Sequence, residues 1–164
     1  MRGIAIMLHV TIRRLTGADS EGYSLRYLAL MQQLTDMTSV SDAMRERYFS
    51  SSMDEGFWVF GAFADVTETS NLLGITSVHF RRHMKGFAAS IEDVVVDEAH
   101  RLRGICRQLI TYVEGEMPHF SASKRLQPQG IYKVVLQSAP EAEGLYEKLG
   151  YKPDEKGFRK NKWW

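Results

Sequence analysis

The sequence predicts a mixed α/β domain whose central strands are flanked by helices, and three observations support this class. Short β-branched and aromatic runs alternate with amphipathic segments along the chain. The resulting order is β-α-α-β-β-β-α-β-α-β, which is typical of layered α/β architecture. At 164 residues and 44% hydrophobic side chains, the chain has the length of one domain with its own core. We therefore expect a single domain over residues 1–164.

The first half of the chain predicts a strand, two helices and a hairpin. "LHVTIRRL" alternates as a strand, and "ADSEGYSLRYLALMQQL" then places Leu28, Met31 and Leu34 at helical spacing. "SVSDAMRERYF" predicts a second, short helix. The runs "FWVFGAF" and "LLGITSVHF" flank the polar turn "DVTETSN", which favours an antiparallel hairpin.

The second half of the chain predicts three more strands and two helices. "SIEDVVV" is typical of a strand. From Arg103 the apolar residues recur every four positions and indicate a helix with one inward face: Ile105, Leu109, Val113 and Met117. "IYKVVLQS" predicts a buried strand, "PEAEGLYEKLG" a helix and "GFRKNKWW" a closing strand. The connection 118–130 is long, and we expect a solvated loop there, with contact of its basic residues to a nucleotide phosphate as the alternative.

Charge and cysteine content exclude several classes of function. The chain has 21 basic and 20 acidic side chains, so no global field attracts nucleic acid or an anionic membrane. The single cysteine, Cys106, rules out an internal disulfide or a zinc site built from cysteines. The start "MRGIAIML" is too short for a signal peptide, and no apolar run has the length of a membrane span. We expect a cytoplasmic protein without a metal.

A glycine-containing basic turn lies between the "VVV" strand and the following helix. Such a turn directs free backbone N–H groups and the positive end of the helix dipole toward one place. Gly104 allows a bulky ligand to approach the main chain, and Arg101, Arg103 and Arg107 add charge that pairs with phosphate oxygens. The turn therefore favours an anion site. An ordinary turn with solvated arginines is the alternative.

The segment Arg101–Cys106 resembles the R/Q-x-x-G-x-G/A signature of the GCN5-related N-acetyltransferase (GNAT) superfamily. That resemblance implies the GNAT fold, with a mixed, mostly antiparallel sheet, and acetyl-CoA as cosubstrate. It implies backbone contacts to the pyrophosphate from the turn and contacts to the pantetheine arm from the strand before it. The implied cofactor-binding residues are Val94, Val95, Val96, Arg101, Leu102, Arg103, Gly104, Ile105, Cys106, Arg107, Ala139 and Tyr146.

Two residues of the turn depart from the superfamily pattern. Leu102 stands where many members carry glycine, and Cys106 stands where the signature has Gly or Ala. A thiol at a helix N-terminus is a candidate nucleophile. We favour the other interpretation, that cysteine is the next small residue and fills the position, because a nearby pyrophosphate would raise its pKa.

The strand "IEDVVV" resembles the corresponding strand of the glucosamine-6-phosphate N-acetyltransferases, with "QLT", "YKVVL" and "LYEKLGY" in the same order. The resemblance implies acetylation of the D-glucosamine 6-phosphate amine in amino-sugar metabolism, by direct attack without a covalent enzyme intermediate, in a homodimer with a shared sugar site. The implied catalytic residues are Glu92, Asp93, Val94, whose N–H stabilises an oxyanion, and Tyr146, which faces the departing thiolate. The implied substrate-binding residues are Thr35, Arg81, Arg82, His83, Glu92, Asp93, Arg159 and Lys162.

Other interpretations remain open at this point. Arg81 and Arg82 would also suit the solvated end of a hairpin, and Tyr146 would suit the core. Ala139 replaces an acid sometimes found there, so a main-chain carbonyl is the local acceptor for the amine proton. A GNAT enzyme for another small amine is one alternative function. A binding module that senses acyl-CoA without turnover is another, although it would need only the cofactor turn.

Overall fold

The computed structural model describes residues 10–16, 20–51, 56–64, 71–123, 130–138 and 140–153. They form five strands and four α-helices. The strands are β1 (Thr11–Leu15), β2 (Phe57–Phe63), β3 (Leu72–His83), β4 (Gly86–Val96) and β5 (Ile131–Leu136). The helices are α1 (Ser20–Met31), α2 (Asp42–Ser51), α3 (Ile105–Ser123) and α4 (Glu143–Lys148). Short 3₁₀ turns at Glu98–His100 and Pro140–Ala142 precede α3 and α4.

The five strands form one mixed sheet in the order β1-β2-β3-β4-β5. The pairs β1–β2, β2–β3 and β3–β4 are antiparallel, and β4–β5 is parallel. The hairpin predicted from "FWVFGAF" and "LLGITSVHF" is confirmed as β2–β3. The expected mixed, mostly antiparallel sheet is confirmed too, although the closing strand predicted from "GFRKNKWW" lies outside the described residues.

The sheet carries a hydrophobic core on each face. On one face, α1 and α2 bury Tyr23, Tyr27 and Phe49 against the sheet. On the other face, α3 and α4 cover two further clusters, and every predicted inward residue of α3 is buried in one of them. These residues are Ile105, Leu109, Val113 and Met117. The predicted layering, with central strands flanked by helices, is confirmed, and the sheet presents the C-terminal half of β4 between two helical layers.

Two local predictions were wrong. The inward face of α1 is formed by tyrosines together with Leu30 and Met31, whereas Leu34 lies beyond the helix end and is 53% exposed. The leucine spacing did not identify the buried face of α1, because the aromatic residues of this helix bury more surface. The 118–130 connection is shorter than expected, because α3 continues through Pro118 to Ser123. Phe120 is buried there and stacks on Phe80 at 3.8 Å, which outweighs the helix-breaking tendency of proline.

Candidate active site

A bulge in β4 brings two adjacent acids to the same face of the sheet. Side chains alternate along a regular strand, so Glu92 and Asp93 would point in opposite directions. The register with β3 shifts between Ile75 and Ser77, and Asp93 adopts a positive φ of 52°. The Ser77 hydroxyl, which lies opposite Glu92, donates to Asp93 Oδ2 at 3.0 Å. Both carboxylates therefore face the α1 and α2 side.

Glu92 lies among three polar side chains on that face. Ser90 donates to Glu92 Oε1 at 2.8 Å. His79 Nε2 lies 3.8 Å from Glu92 Oε2, and the Arg81 guanidinium approaches Glu92 Oε1 at 3.7 Å. The His79 ring also packs 4.5 Å from Phe57. Glu92 therefore lies beside an arginine and a histidine at the half-exposed edge of the site.

Asp93 lies deeper, beside a pair of buried tyrosine hydroxyls. The Tyr27 and Tyr48 hydroxyls are 2.7 Å apart. Burial raises the pKa of Asp93, and the Ser77 hydrogen bond opposes that rise only in part. Burial likewise raises the pKa of Tyr48, to about 12, so the phenol stays protonated near neutral pH. The buried position of Asp93 disfavours the charged form of its carboxylate. A cationic amine bound beside it would offset that cost.

We expect Asp93→Asn to stabilise the fold while reducing activity. The pKa of Asp93 is raised above its ordinary value of 3.8, so between these two values the folded state binds more protons than the unfolded state. The free energy of unfolding therefore falls as pH rises between these two pKa values. Above the folded-state pKa, the full cost of burying the charged Asp93 carboxylate is present. Urea unfolding at neutral pH should show a more stable Asn variant, and the difference should disappear below pH 3.8.

Glu92→Gln is the matched control, because Glu92 has His79 and Arg81 as partners. Removal of its charge should not increase stability. Equal unfolding free energies for the wild type and Asp93→Asn at neutral pH would refute the buried-charge account of Asp93.

The β4 and β5 strands separate where the valines begin. Their parallel pairing ends at Ile91 and Leu136, so Val94, Val95 and Val96 have no β5 partner in the described part of the chain. Val94 packs against the hydrophobic cluster on the α3 and α4 face. Val95 lies in the opposite core, and Val96 packs near the start of α3. This gap exposes one backbone edge of β4 to an extended ligand.

Tyr146 and Cys106 lie together beside that gap. Tyr146 is 7% exposed and belongs to the same cluster against which Cys106 and Val94 pack. Burial raises the pKa of Tyr146, and its hydrogen bond to Cys106 raises it further. Burial also raises the pKa of the Cys106 thiol. These directions favour a protonated phenol that can donate, and they support the interpretation of Cys106 as a small filler.

The turn between β4 and α3 has unusual backbone conformations at two positions. Gly104 has φ +79°, and a Cβ placed on it would meet no atom within 4 Å. Leu102 has φ +62° and a fully exposed side chain, which explains why glycine suits this position. Within the described chain, the N–H groups of residues 104–107 have no acceptor. An α-helix leaves its first N–H groups without an intrahelical acceptor, so these groups are available to a ligand.

The arginines of the turn differ in their surroundings. Arg101 is held within the chain, since its Nε donates to the Val96 carbonyl at 3.2 Å. Arg103 and Arg107 are exposed, and no hydrogen bond or ion pair joins them to another described residue. Ile105 is buried beneath the turn at 1% exposure. The two outer arginines are therefore available to an anion, whereas Arg101 stabilises the turn.

The structure does not bring all of the predicted substrate-binding residues together at the two acids. Arg81, Arg82 and His83 are the last residues of β3, and Met84 and Lys85 form the turn to β4. Arg82 faces away from Arg81 because of strand alternation. His83 is six residues beyond Ser77, about 20 Å along the strand, and packs near a β5 tyrosine ring.

Thr35 lies in the exposed turn after α1, where its backbone N–H donates to the Met31 carbonyl at 2.9 Å. No hydrogen bond joins its side chain to another residue in the described ranges. Three further predicted residues lie outside the described residues: Ala139, Arg159 and Lys162.

Sequence analysis missed four side chains that surround the acids: Tyr27, Tyr48, Ser77 and His79. The alternation of Ser77, His79 and Arg81 along an otherwise apolar strand was the available signal. The two tyrosines come from different helices, so no local pattern could pair them.

The described residues contain neither a cluster of metal ligands nor a membrane-spanning helix. Among these, no three His, Cys, Asp or Glu side chains gather as metal ligands would. None of the described helices combines the length and apolar character that a membrane crossing requires.

A model of the acetyltransferase (GNAT) family matches residues 27–151. The chain belongs to the GNAT family. It is therefore an acetyltransferase by family, and the matched region includes the end of α1, both acids, the glycine turn and Tyr146.

Three individual proteins are similar to this GNAT chain. Glucosamine 6-phosphate N-acetyltransferase 1 of Oryza sativa subsp. japonica is 29% identical over 153 residues, 82% of this chain and 84% of the relative. A D-amino-acid N-acetyltransferase of Saccharomyces cerevisiae is 27% identical over 117 residues, 69% of this chain and 68% of the relative. The crystal structure of glucosamine-6-phosphate N-acetyltransferase from Arabidopsis thaliana has a TM-score of 0.72 and 25% identity, with 93% of this chain and 98% of the other covered.

Proposed function

We propose that this GNAT protein transfers the acetyl group of acetyl-CoA to the amine of D-glucosamine 6-phosphate, giving N-acetyl-D-glucosamine 6-phosphate and CoA. One observation carries the proposal: the bulged end of β4 has two acids on one face and the Tyr146 cluster on the other. An amine and a thioester held on these two sides would meet at the same backbone segment. The names of two relatives support the sugar phosphate as acceptor.

The cofactor side fits acetyl-CoA, which would supply the acetyl thioester. The free N–H groups at the start of α3, with Arg103 and Arg107, suit a pyrophosphate. The unpaired edge of Val94–Val96 suits the amides of the pantetheine arm. Tyr146 lies beside this gap with a protonated hydroxyl that can donate to sulfur.

The acceptor side fits a cationic amine that carries hydroxyls. Asp93 would hold the ammonium group, and Glu92 with Ser90 would bind hydroxyls. Asp93 or solvent would accept one proton from the ammonium, and the neutral amine would then attack the thioester carbonyl, the C–S bond breaking with CoA as the leaving thiolate. Such direct attack requires orientation more than covalent chemistry, which is the contribution of a ternary complex. The Val94 N–H would stabilise the carbonyl oxygen as negative charge develops there.

A D-amino acid is the second candidate acceptor, and the yeast relative favours it. Both candidates combine an amine with an anion. They differ in the distance between these groups and in the hydroxyls that Glu92 and Ser90 would meet. A panel of amino sugars, their phosphates and D-amino acids, assayed by release of CoA thiol, separates the candidates.

We expect the phosphate group of glucosamine 6-phosphate to increase kcat/KM, and we expect Arg81 to bind that group. Glucosamine should show kcat/KM roughly ten- to a hundredfold below that of glucosamine 6-phosphate, because a charged hydrogen bond contributes about 1.5–3 kcal/mol. Arg81→Met should remove most of this preference, since Arg81 reaches the acids. Arg82→Met is the matched control, because that side chain faces the other way. Equal kcat/KM values for the two sugars in the wild type would exclude the sugar phosphate as preferred acceptor.

We also propose a homodimer with a sugar site between the subunits. In the described part of the chain, β5 is an edge strand with Tyr132 46% exposed, which leaves room for additional pairing. Arg159 and Lys162 belong to the same proposal as phosphate contacts from the C-terminal segment.

A further inference from the structure

We propose that Gln33 is a positioning residue that preorganises the acetyl-CoA turn from the end of α1. The Glu98 N–H donates to Gln33 Oε1 at 3.0 Å, and an Arg101 guanidinium nitrogen lies 3.5 Å from the same oxygen. One side-chain oxygen thus contacts both the 3₁₀ turn that leads out of β4 and the first arginine of the signature. The inference rests on the proposed binding of acetyl-CoA at this turn.

The turn needs support from outside its own residues. Leu102 and Gly104 both have positive φ, and a leucine in this region persists only where the surroundings enforce it. The Arg101 side chain fixes one end of the turn to the Val96 carbonyl. Gln33 also contacts Arg101 and accepts from the Glu98 N–H.

A residue of α1 supports the same region. Arg26 forms an ion pair with Asp97 and donates from Nε to the Leu72 carbonyl at 3.1 Å. Asp97 in turn caps the 3₁₀ turn by accepting from the Ala99 N–H at 2.9 Å. Arg26 in α1 and Gln33, two residues after its end, therefore both contact the segment between β4 and α3.

The residue before Gln33 contacts a different segment. Gln32 accepts from the Met37 N–H at 3.1 Å and closes the loop that contains Thr35. Adjacent glutamines therefore hold two different segments of the chain. Gln33 acts on the cofactor through Glu98 and Arg101, not through contact with it.

The test compares acetyl-CoA dissociation constants by calorimetry. Gln33→Leu removes the acceptor oxygen. Glu98→Pro removes the N–H donor at the first position of a 3₁₀ turn, where proline fits, and the extended Asp97 (ψ 129°) tolerates a following proline. Each variant should bind acetyl-CoA about three- to tenfold more weakly, with the KM for acetyl-CoA raised and kcat kept. The double variant should lose little more than either single variant, because both changes break the same bond.

Gln32→Leu is the control, since it makes the same change one residue away and leaves the Glu98 contact in place. Its affinity for acetyl-CoA should equal that of the wild type. Wild-type affinity in Gln33→Leu, an equal loss in Gln32→Leu, or a double variant whose loss is the product of the two single losses would overturn the inference. A wild type that fails to bind acetyl-CoA would instead reject the proposed function.

Discussion

Gly104→Asp should bind acetyl-CoA at least a hundredfold more weakly than the wild type, a loss of about 2.7 kcal/mol. Gly104 has φ +79°, and the space above its Cα is open. An aspartate at this position would place a carboxylate beside the N–H groups of the α3 N-terminus, where we propose that the pyrophosphate of acetyl-CoA binds. The carboxylate and the pyrophosphate would repel each other, and the added side chain would reduce the space for the ligand. Calorimetric titration measures the loss directly.

Two further variants separate charge from backbone conformation. Gly115→Asp places the same carboxylate on an exposed position of α3 with open space around it, and it should leave the affinity unchanged. Gly104→Ala adds no charge but must adopt a positive φ, which costs about 1 kcal/mol of folding stability. It should therefore weaken binding only severalfold. Wild-type affinity in Gly104→Asp would refute the assignment of this turn to the cofactor.

The sheet and α3 could be predicted because their signals are local. Short aromatic and β-branched runs define β2 and β3, and the four-residue spacing from Ile105 to Met117 marks the buried face of α3. The continuation of α3 through Pro118 could not be predicted, because it depends on Phe120 stacking against Phe80 from a distant strand. Tertiary packing here overrides the local tendency of proline.

The candidate site was only partly predictable for a similar reason. A residue pattern can place Glu92 and Asp93 on one strand, but alternation puts them on opposite faces. The bulge that reunites them depends on register with β3 and on the Ser77 hydrogen bond. Gln33 and the paired tyrosines act across elements that lie far apart in sequence. Residue type therefore indicated the chemistry, and only the fold supplied the neighbours.

Tyr146→Phe should lower kcat by on the order of a hundredfold, about 2.7 kcal/mol of transition-state stabilisation, while acetyl-CoA affinity stays near the wild-type value. The reason is the position of the phenol, which is 7% exposed and shares a cluster with Val94 and Cys106 beside the gap between β4 and β5. Burial and the Cys106 hydrogen bond raise its pKa, so it remains a donor as charge develops on the departing sulfur. Phenylalanine keeps the ring and removes only that donor.

Tyr151→Phe is the matched control for the loss of a buried phenol. The Tyr151 hydroxyl donates to Glu114 Oε1 at 2.5 Å and ties the end of α4 to α3, and its ring lies 6.1 Å from that of Tyr146. Its removal should cost about 1 kcal/mol of stability, and more where Glu114 is left without its partner, while kcat is retained. Melting temperature, acetyl-CoA dissociation constant and kcat measured on the same preparations distinguish the two roles. If Tyr146→Phe instead behaves like Tyr151→Phe, less stable but fully active, then Tyr146 belongs to the core and the departing thiolate must be stabilised by another group.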